Sequence, residues 1–354
     1  MKRALSLPPE TPNMALALAI GSAGGLALSL LDMPLPWMLG SMLACFLASM
    51  GKMPMKDPGV LRPYIIPVIG VMLGASFDTQ TFSHLLEWGL SLLGLVVYVA
   101  LAAALVVPFY IKIGRLDPVT AFFSAMPGGL SEMTIIGGDL GGDEKRIILS
   151  HAARIVITVS LIAAYFRVVL GYEVSGVLAP EGAEATLDLK NAGILLACAI
   201  LGTGLGKMLR FPARGLLGPL ILSALAHMTG LTQSAPPAVL VITAQVILGT
   251  MLGCRFMGAT PRLIIETIAL SAGATMVMLA LSLGFAIGLH EMFHQTTEQI
   301  LLAYAPGGLT EMSLVAIAMD ADVAYIALHH LARIVLLLAI APTFLTWIAR
   351  KLSQ

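Results

Sequence analysis

One seven-residue motif occurs twice in the chain. Pro-Gly-Gly-Leu-Ser-Glu-Met spans residues 127–133, and Pro-Gly-Gly-Leu-Thr-Glu-Met spans residues 306–312, which is 179 positions later. The same spacing, without a gap, relates further identical pairs: His151 and His330, Arg154 and Arg333, Gly70 and Gly249, Gly74 and Gly253. Self-similarity at one fixed spacing is the signature of an internal repeat. The chain is therefore predicted to be a fused duplication, so that each half constrains the fold of the other.

The boundaries of the two copies follow from the polar intervals. We predict a first membrane repeat over residues 14–172, a polar linker over 173–190 and a second membrane repeat over 191–349. Further upstream, Pro36-Trp-Met-Leu-Gly-Ser is aligned with Pro219-Leu-Ile-Leu-Ser-Ala by increasing the spacing to 183. This stretch is less well preserved in the second copy.

The content of charged residues decides in which solvent the copies fold. Asp, Glu, Lys and Arg make up 11% of the chain and apolar residues 58%, whereas soluble domains carry about 25% charged residues. A soluble protein of 354 residues could not cover so much apolar surface. The composition excludes a cytosolic enzyme, a disordered chain and a nucleic-acid-binding protein, which would need a basic surface. It predicts an all-α polytopic membrane protein.

Twelve apolar stretches can be marked, and the distribution of basic residues orders them across the membrane. Two stretches, residues 119–136 and 299–318, contain the Pro-Gly-Gly triplet. If each enters the membrane and returns on the same side, each copy crosses five times and most basic loop residues lie in the cytoplasm. An odd number of crossings makes the repeats inverted, with both termini cytoplasmic and the linker outside. The alternative, in which these two stretches cross and another short stretch in each half does not, also gives inverted repeats.

The predicted fold is thus two inverted repeats of about five transmembrane helices, each with one broken or re-entrant segment. Proline lacks an N–H and glycine favours irregular backbone, so helices should stop at Pro127–Gly129 and Pro306–Gly308. Ser131 and Thr310 can cap new half-helices, whose free N–H groups suit a polar or anionic ligand. A kink that serves only helix packing is the alternative. The candidate residues of the motifs are Gly128, Gly129, Ser131, Glu132, Gly307, Gly308, Thr310 and Glu311.

A His-x-x-Arg pair follows each motif, and both of its side chains share one helix face. The pairs are His151 with Arg154 in the first copy and His330 with Arg333 in the second. Ionisable groups inside a membrane are costly and usually functional. We predict that each arginine forms an ion pair with the glutamate of its own motif. Such pairs either fix the broken segment to its neighbour or line the path of substrate or protons, and the two roles are compatible.

No cofactor and no metal site is predicted. His329 and His330 are adjacent, and neighbouring side chains on a helix point about 100° apart, so one metal ion would not easily bind both. The three cysteines lie in separate apolar stretches and are predicted to be buried thiols: Cys45, Cys198 and Cys254.

The PGGL[ST]EM blocks, the His-x-x-Arg pairs and the stretch PWMLGSML at residues 36–43 resemble the AbrB-type family of integral membrane proteins. The resemblance extends over residues 14–349 and includes both copies. Members of this bacterial family are often labelled ammonia monooxygenases or regulators of gene expression. The resemblance implies a protein of the bacterial inner membrane.

The predicted architecture favours a secondary transporter or exporter of a small polar or anionic solute, bound near the broken helices. Two alternatives stay open from the family labels. One is a membrane monooxygenase, for which no catalytic metal constellation is evident, and the other is a membrane sensor that regulates gene expression indirectly. The expected partners are a small-molecule solute and the lipid bilayer, without nucleic acid. A second copy of the chain, in a homodimer, is a further candidate.

Overall fold

The structure is a computed structural model, and it describes residues 11–31, 33, 35–77, 87–171, 188–211, 213–319 and 321–352, with side chains up to residue 340. Within these ranges every regular element is a helix. Most of the predicted linker, residues 173–187, lies outside the described residues, as do the basic residues that precede residue 11.

The described helices form two series of seven, one on each side of the linker. The first series is α1 (Thr11–Ser29), α2 (Pro36–Met50), α3 (Arg62–Gly74), α4 (Gly89–Lys112), α5 (Pro118–Ala125), α6 (Leu130–Asp139) and α7 (Glu144–Val168). The second series is α8 (Leu189–Met208), α9 (Arg214–Met228), α10 (Ala238–Cys254), α11 (Pro261–Phe293), α12 (Thr297–Tyr304), α13 (Leu309–Ala318) and α14 (Val323–Leu352). A short 3-10 turn over Gly59–Leu61 leads into α3.

Three pairs of helices of the same rank in the two series are equal in length. Both second helices have 15 residues, both fifth helices have 8 and both sixth helices have 10. This order is the one expected of a duplication. The inversion of one copy relative to the other stays a prediction.

Six of the described helices are long and apolar enough to cross a membrane: α1, α4, α7, α8, α11 and α14. The four other predicted spans, α2, α3, α9 and α10, have 13 to 17 residues, whereas a full crossing takes about 20. They have the second and third rank in each series. The chain is accordingly a polytopic helical membrane protein with long and short apolar helices in a repeated order.

N-cap residues determine where α5, α12 and the long helices α7 and α14 begin. The Asp117 carboxylate accepts from two backbone N–H groups at the start of α5, and Pro118 is the first helical residue. Thr296 begins α12 with a reciprocal capping box. Asp143 and Asp322, 179 positions apart, accept from the first-turn N–H groups of α7 and α14.

The helices assemble into two groups, and each group contains elements of both series. The first helix group consists of α1, α2, α3, α8, α9 and α10, which contact one another. The second helix group consists of α4, α5, α6, α7, α11, α12, α13 and α14. The groups meet where α7 contacts α2 and α10, and where α13 contacts α3. A cleft between them is therefore lined by both halves of the sequence.

Close backbone contacts within the first helix group correct the alignment of the two copies. A Cβ atom on Gly40 would overlap the carbonyl oxygen of Gly24, and one on Gly218 would overlap that of Gly202. Both pairs are related by a spacing of 178, as are the starts of α2 and α9 at residues 36 and 214. The alignment of the two Pro-containing stretches at a spacing of 183 is therefore wrong. Close helix packing determines the register, and the proline of the second copy lies inside α9.

Candidate functional site

Both Pro-Gly-Gly triplets interrupt helices as predicted. The first break separates α5 from α6, and the second separates α12 from α13. The backbone at Gly129 and Gly308 is extended, and these two glycines are the N-cap residues of α6 and α13. Ser131 and Thr310 consequently occupy the second helical position, so the prediction that they cap the half-helices is wrong.

The glutamate of each motif folds back over the start of its own half-helix. A Cβ atom placed on Gly129 would overlap Oε2 of Glu132, and one on Gly308 would overlap Oε2 of Glu311. Each carboxylate lies in the first helical turn, where the positive end of the helix dipole stabilises a negative charge. The second glycine of the triplet thus leaves room for a carboxylate that occupies the N-terminus of the half-helix.

In each copy a histidine binds a carbonyl group of the helix that precedes the break. His151 Nε2 donates to the Phe123 carbonyl oxygen at 2.7 Å, and Arg154 Nη2 donates to His151 Nδ1 at 2.8 Å. A carbonyl can only accept and a guanidinium can only donate, so this ring is the neutral tautomer protonated at Nε2.

The second copy repeats this arrangement. His330 Nε2 donates to the Leu302 carbonyl oxygen at 2.9 Å, and Arg333 Nη2 donates to His330 Nδ1 at 3.0 Å. The two His-Arg units are therefore the same device, in which a buried ring orients a buried guanidinium.

The arginines bind the carbonyl groups that the breaks set free. Arg154 Nη1 donates to the carbonyl oxygens of Ser124, Ala125 and Met126 at 3.1–3.4 Å. In the second copy, Arg333 donates to the carbonyl oxygens of Ala305 and Gly307 at 2.6 and 2.8 Å. The last carbonyls of a helix have no intrahelical donor, and each arginine supplies one.

The predicted ion pairs between these arginines and the motif glutamates are wrong. Among the described side chains, ion pairs are found at Arg146, Arg255 and Arg262, and none joins Arg154 to Glu132 or its counterparts in the second copy. The physical reason is that backbone groups at the ends of the half-helices already provide hydrogen-bond acceptors for the arginine and a favourable dipole for the carboxylate. Carbonyl groups at one end bind the arginine, and the positive dipole at the other end holds the carboxylate.

The contacts of the arginine Nε atoms distinguish the two copies. Arg154 Nε donates to the carbonyl oxygen of Pro306 at 3.1 Å, so the arginine of the first copy reaches the break of the second. The equivalent atom, Arg333 Nε, is buried and has no hydrogen-bond partner. The two breaks therefore lie next to each other and are connected from one side.

Residues of both breaks line one cavity of about 1030 Å³. Ten of the twelve candidate residues line it: Gly128, Gly129, Ser131, Glu132, Arg154, Gly307, Gly308, Thr310, Glu311 and Arg333. The remaining two, His151 and His330, are fully buried and support the arginines. The structure thus brings the predicted residues of both copies into one place, between the two helix groups.

Comparison with known proteins shows the family of this chain. The family described as "Transition state regulatory protein AbrB" matches residues 37–349. The chain belongs to the AbrB family. Its relatives include the Bacillus subtilis (strain 168) protein YhjN, which is 28% identical over 92% of this chain and 91% of the relative. Another is an Escherichia coli (strain K12) protein named as a candidate regulator, AbrB, 23% identical over 93% of both chains.

The cavity of this AbrB-family chain also contains four basic side chains that the motif analysis did not select. They are Arg62 at the start of α3, Lys207 at the end of α8, Arg214 at the start of α9 and Arg255 just after α10. The first three are exposed and mark its mouth. Their signal in the sequence was the clustering of basic residues at loop ends, which we used only to orient the helices.

Other candidates lie outside the cavity. Cys45, Cys198 and Cys254 are buried free thiols, as predicted. His329 hydrogen-bonds with Ser91 Oγ through Nε2 at 2.7 Å, whereas Nε2 of His330 donates to the Leu302 carbonyl oxygen. Over the described residues of this AbrB-family chain, no group of three His, Cys, Asp or Glu side chains is arranged to hold a metal ion.

Proposed function

We propose that this protein is a secondary transporter or exporter of a small polar or anionic solute in the bacterial inner membrane. One observation supports the proposal above all others: two helix breaks from the two halves of the chain share a single cavity with two buried arginines. Interrupted helices are tolerated in a membrane where they are buried in protein or line a water-filled cavity. Binding sites made of paired half-helices are typical of secondary transporters.

The residues of the cavity have distinct roles in this proposal. Ser131 and Thr310 contact the solute from the first turn of each half-helix. Glu132 and Glu311 exchange between the half-helix N-termini and the cavity, and so couple solute binding to a cation or proton. The His-Arg units keep the breaks open, because they bind carbonyl groups that would otherwise be unsatisfied.

Access to the site alternates by movement of the first helix group against the second. The cavity lies between the groups, and few helices connect them, with α7 touching α2 and α10 and α13 touching α3. The basic mouth of the cavity faces the cytoplasm in the orientation that basic residues favour. In this arrangement the described state is open to the cytoplasm, and both termini are cytoplasmic.

Reconstitution into liposomes tests the proposal. Purified protein should exchange radiolabelled solutes from a panel of carboxylates, amino acids and amines across the bilayer. The double variant Glu132→Gln with Glu311→Gln should lose at least about tenfold in rate, because two ionisable groups of the cavity are removed. Glu291→Gln is a matched control, since Glu291 is exposed near the end of α11 and does not line the cavity.

Normal exchange by the double variant would remove these carboxylates from the mechanism. Absence of exchange for every solute, with protein whose cooperative thermal unfolding shows that it is folded, would contradict the transporter proposal itself.

The names of the family and of one relative favour a second candidate, a membrane sensor that affects gene expression. In this version the same cavity binds the solute, and transcription responds to the solute concentration. A deletion strain would then show altered transcription only when the solute is supplied. Altered transcription regardless of solute would favour a regulatory role without transport.

A further inference from the structure

The cavity carries an excess of positive charge. Six basic side chains line it and only two carboxylates do, Glu132 and Glu311, although the whole chain has a formal net charge of zero. One of the six, Arg255, lies 3.9 Å from Asp57. Even with that pair the cavity remains cationic. A cleft lined by one sign of charge between low-dielectric walls concentrates ligands of the opposite sign.

The two deepest cations have no anionic partner among the described residues. Arg154 and Arg333 are 3% and 2% exposed, and their hydrogen bonds go to carbonyl oxygens and to histidine rings. Neutral acceptors satisfy hydrogen bonds, but they do not neutralise a buried charge, which is costly to remove from water. A bound anion would supply the missing charge.

One of the two arginines has a donor left for a ligand. Arg154 uses its Nε–H on the Pro306 carbonyl, whereas the Nε–H of Arg333 is buried without a partner. Buried polar atoms without partners are few in native structures and point to an absent ligand or water. Arg333, Thr310 and Gly308, the N-cap residue of α13, all line the cavity.

We propose that the solute is an anion with a carboxylate or phosphate group, and that Arg333 together with the N-terminus of α13 binds this group. Arg154 is a positioning residue that connects the two breaks. The basic residues at the mouth attract the anion, and Glu311 leaves the N-terminus of α13 when the solute arrives, because both groups compete for the same N–H donors. This inference rests on the transporter proposal and adds the class of solute to it.

Charged thiol reagents test the sign of the cavity without knowledge of the natural solute. Cysteine is placed at Thr310 in a chain whose three buried cysteines are replaced by alanine. The modification rate is measured with a sulfonate-bearing and a trimethylammonium-bearing thiosulfonate, each divided by its rate with 2-mercaptoethanol. The anionic reagent should react at least about tenfold faster than the cationic one, and Arg333→Gln should reduce that preference several-fold.

Two controls make the result specific to the cavity. Arg262→Gln removes an exposed basic residue that does not line the cavity, and the preference should stay unchanged. If Arg333→Gln is not recovered as folded protein, Lys207→Gln at the exposed mouth is used, and it should weaken the preference about twofold.

Protection by free anions identifies the recognised group. Succinate or inorganic phosphate should slow modification of the new cysteine, and putrescine should not; whichever anion protects better indicates the carboxylate or the phosphate. Equal or faster reaction of the cationic reagent would overturn the proposal, as would an equal effect of Arg333→Gln and Arg262→Gln. Since labelling requires no flux, a cation-selective cavity in a protein that transports solutes would refute the solute class alone.

Discussion

The two helix breaks have nearly the same sequence and a similar geometry, yet their arginines make different hydrogen bonds. In both, a histidine and an arginine bind the carbonyl groups that the break exposes, and a glutamate folds over the following half-helix. Only the first-copy arginine reaches across to the other break, where its Nε–H meets the Pro306 carbonyl oxygen. Two copies of one motif can thus have different contacts. The arginine of the first copy connects the two breaks, and the arginine of the second copy has an Nε–H donor without a partner.

The largest expected effect concerns the two arginines. Arg154→Met should lower the free energy of unfolding in detergent by about 3–5 kcal/mol, because the variant leaves carbonyl groups of both breaks without a donor. The loss in the free energy of unfolding for Arg333→Met should be smaller by about 1–3 kcal/mol, since Arg333 binds fewer carbonyl oxygens. Chemical denaturation of the two purified variants and of an Arg262→Met control measures the difference. Equal losses would show that the contact to Pro306 contributes little.

The histidines should behave alike, unlike the arginines. His151→Phe and His330→Phe each remove a donor to a buried carbonyl and an acceptor for a buried guanidinium. We expect about 1–3 kcal/mol of destabilisation in either copy. His290→Phe, at the end of α11, is the control. A double-mutant cycle between each histidine and its arginine should show coupling of about 0.5–3 kcal/mol. Coupling in one copy only would show that the two breaks differ in their histidines as well as in their arginines.

Sequence patterns predicted the all-helical membrane fold and the positions of both breaks. Proline and glycine act locally on the backbone, so the ends of α5 and α12 could be inferred from the triplets alone. Charge pairing could not be inferred in the same way. The glutamate of the preceding motif was assigned to each arginine, but backbone carbonyl groups compete for a guanidinium, and sequence does not reveal where these carbonyl groups point.

Residues distant in sequence explain the remaining differences. The spacing of 178 that relates α2 to α9 is recognised from the contacts of their glycines with α1 and α8. These contacts exist only after the helices pack. The contact of Arg154 with Pro306 joins residues 152 positions apart. The basic mouth of the cavity likewise combines Arg62 with Lys207 and Arg214, from two loop regions in different halves of the chain. Composition could reveal the number of basic residues but not their convergence.

The smallest effect on stability is expected at the glycines that the carboxylates fold over. Gly129→Ala and Gly308→Ala place a Cβ atom where a glutamate oxygen lies, and the flexible side chain can move away, so the free energy of unfolding should change by less than about 1 kcal/mol. Solute exchange in liposomes should nevertheless fall several-fold in both variants. Gly204→Ala, where a Cβ atom meets open space, should leave exchange unchanged. If either break tolerates alanine as Gly204 does, its glutamate has no part in exchange, and the two breaks differ in their carboxylates as well as in their arginines.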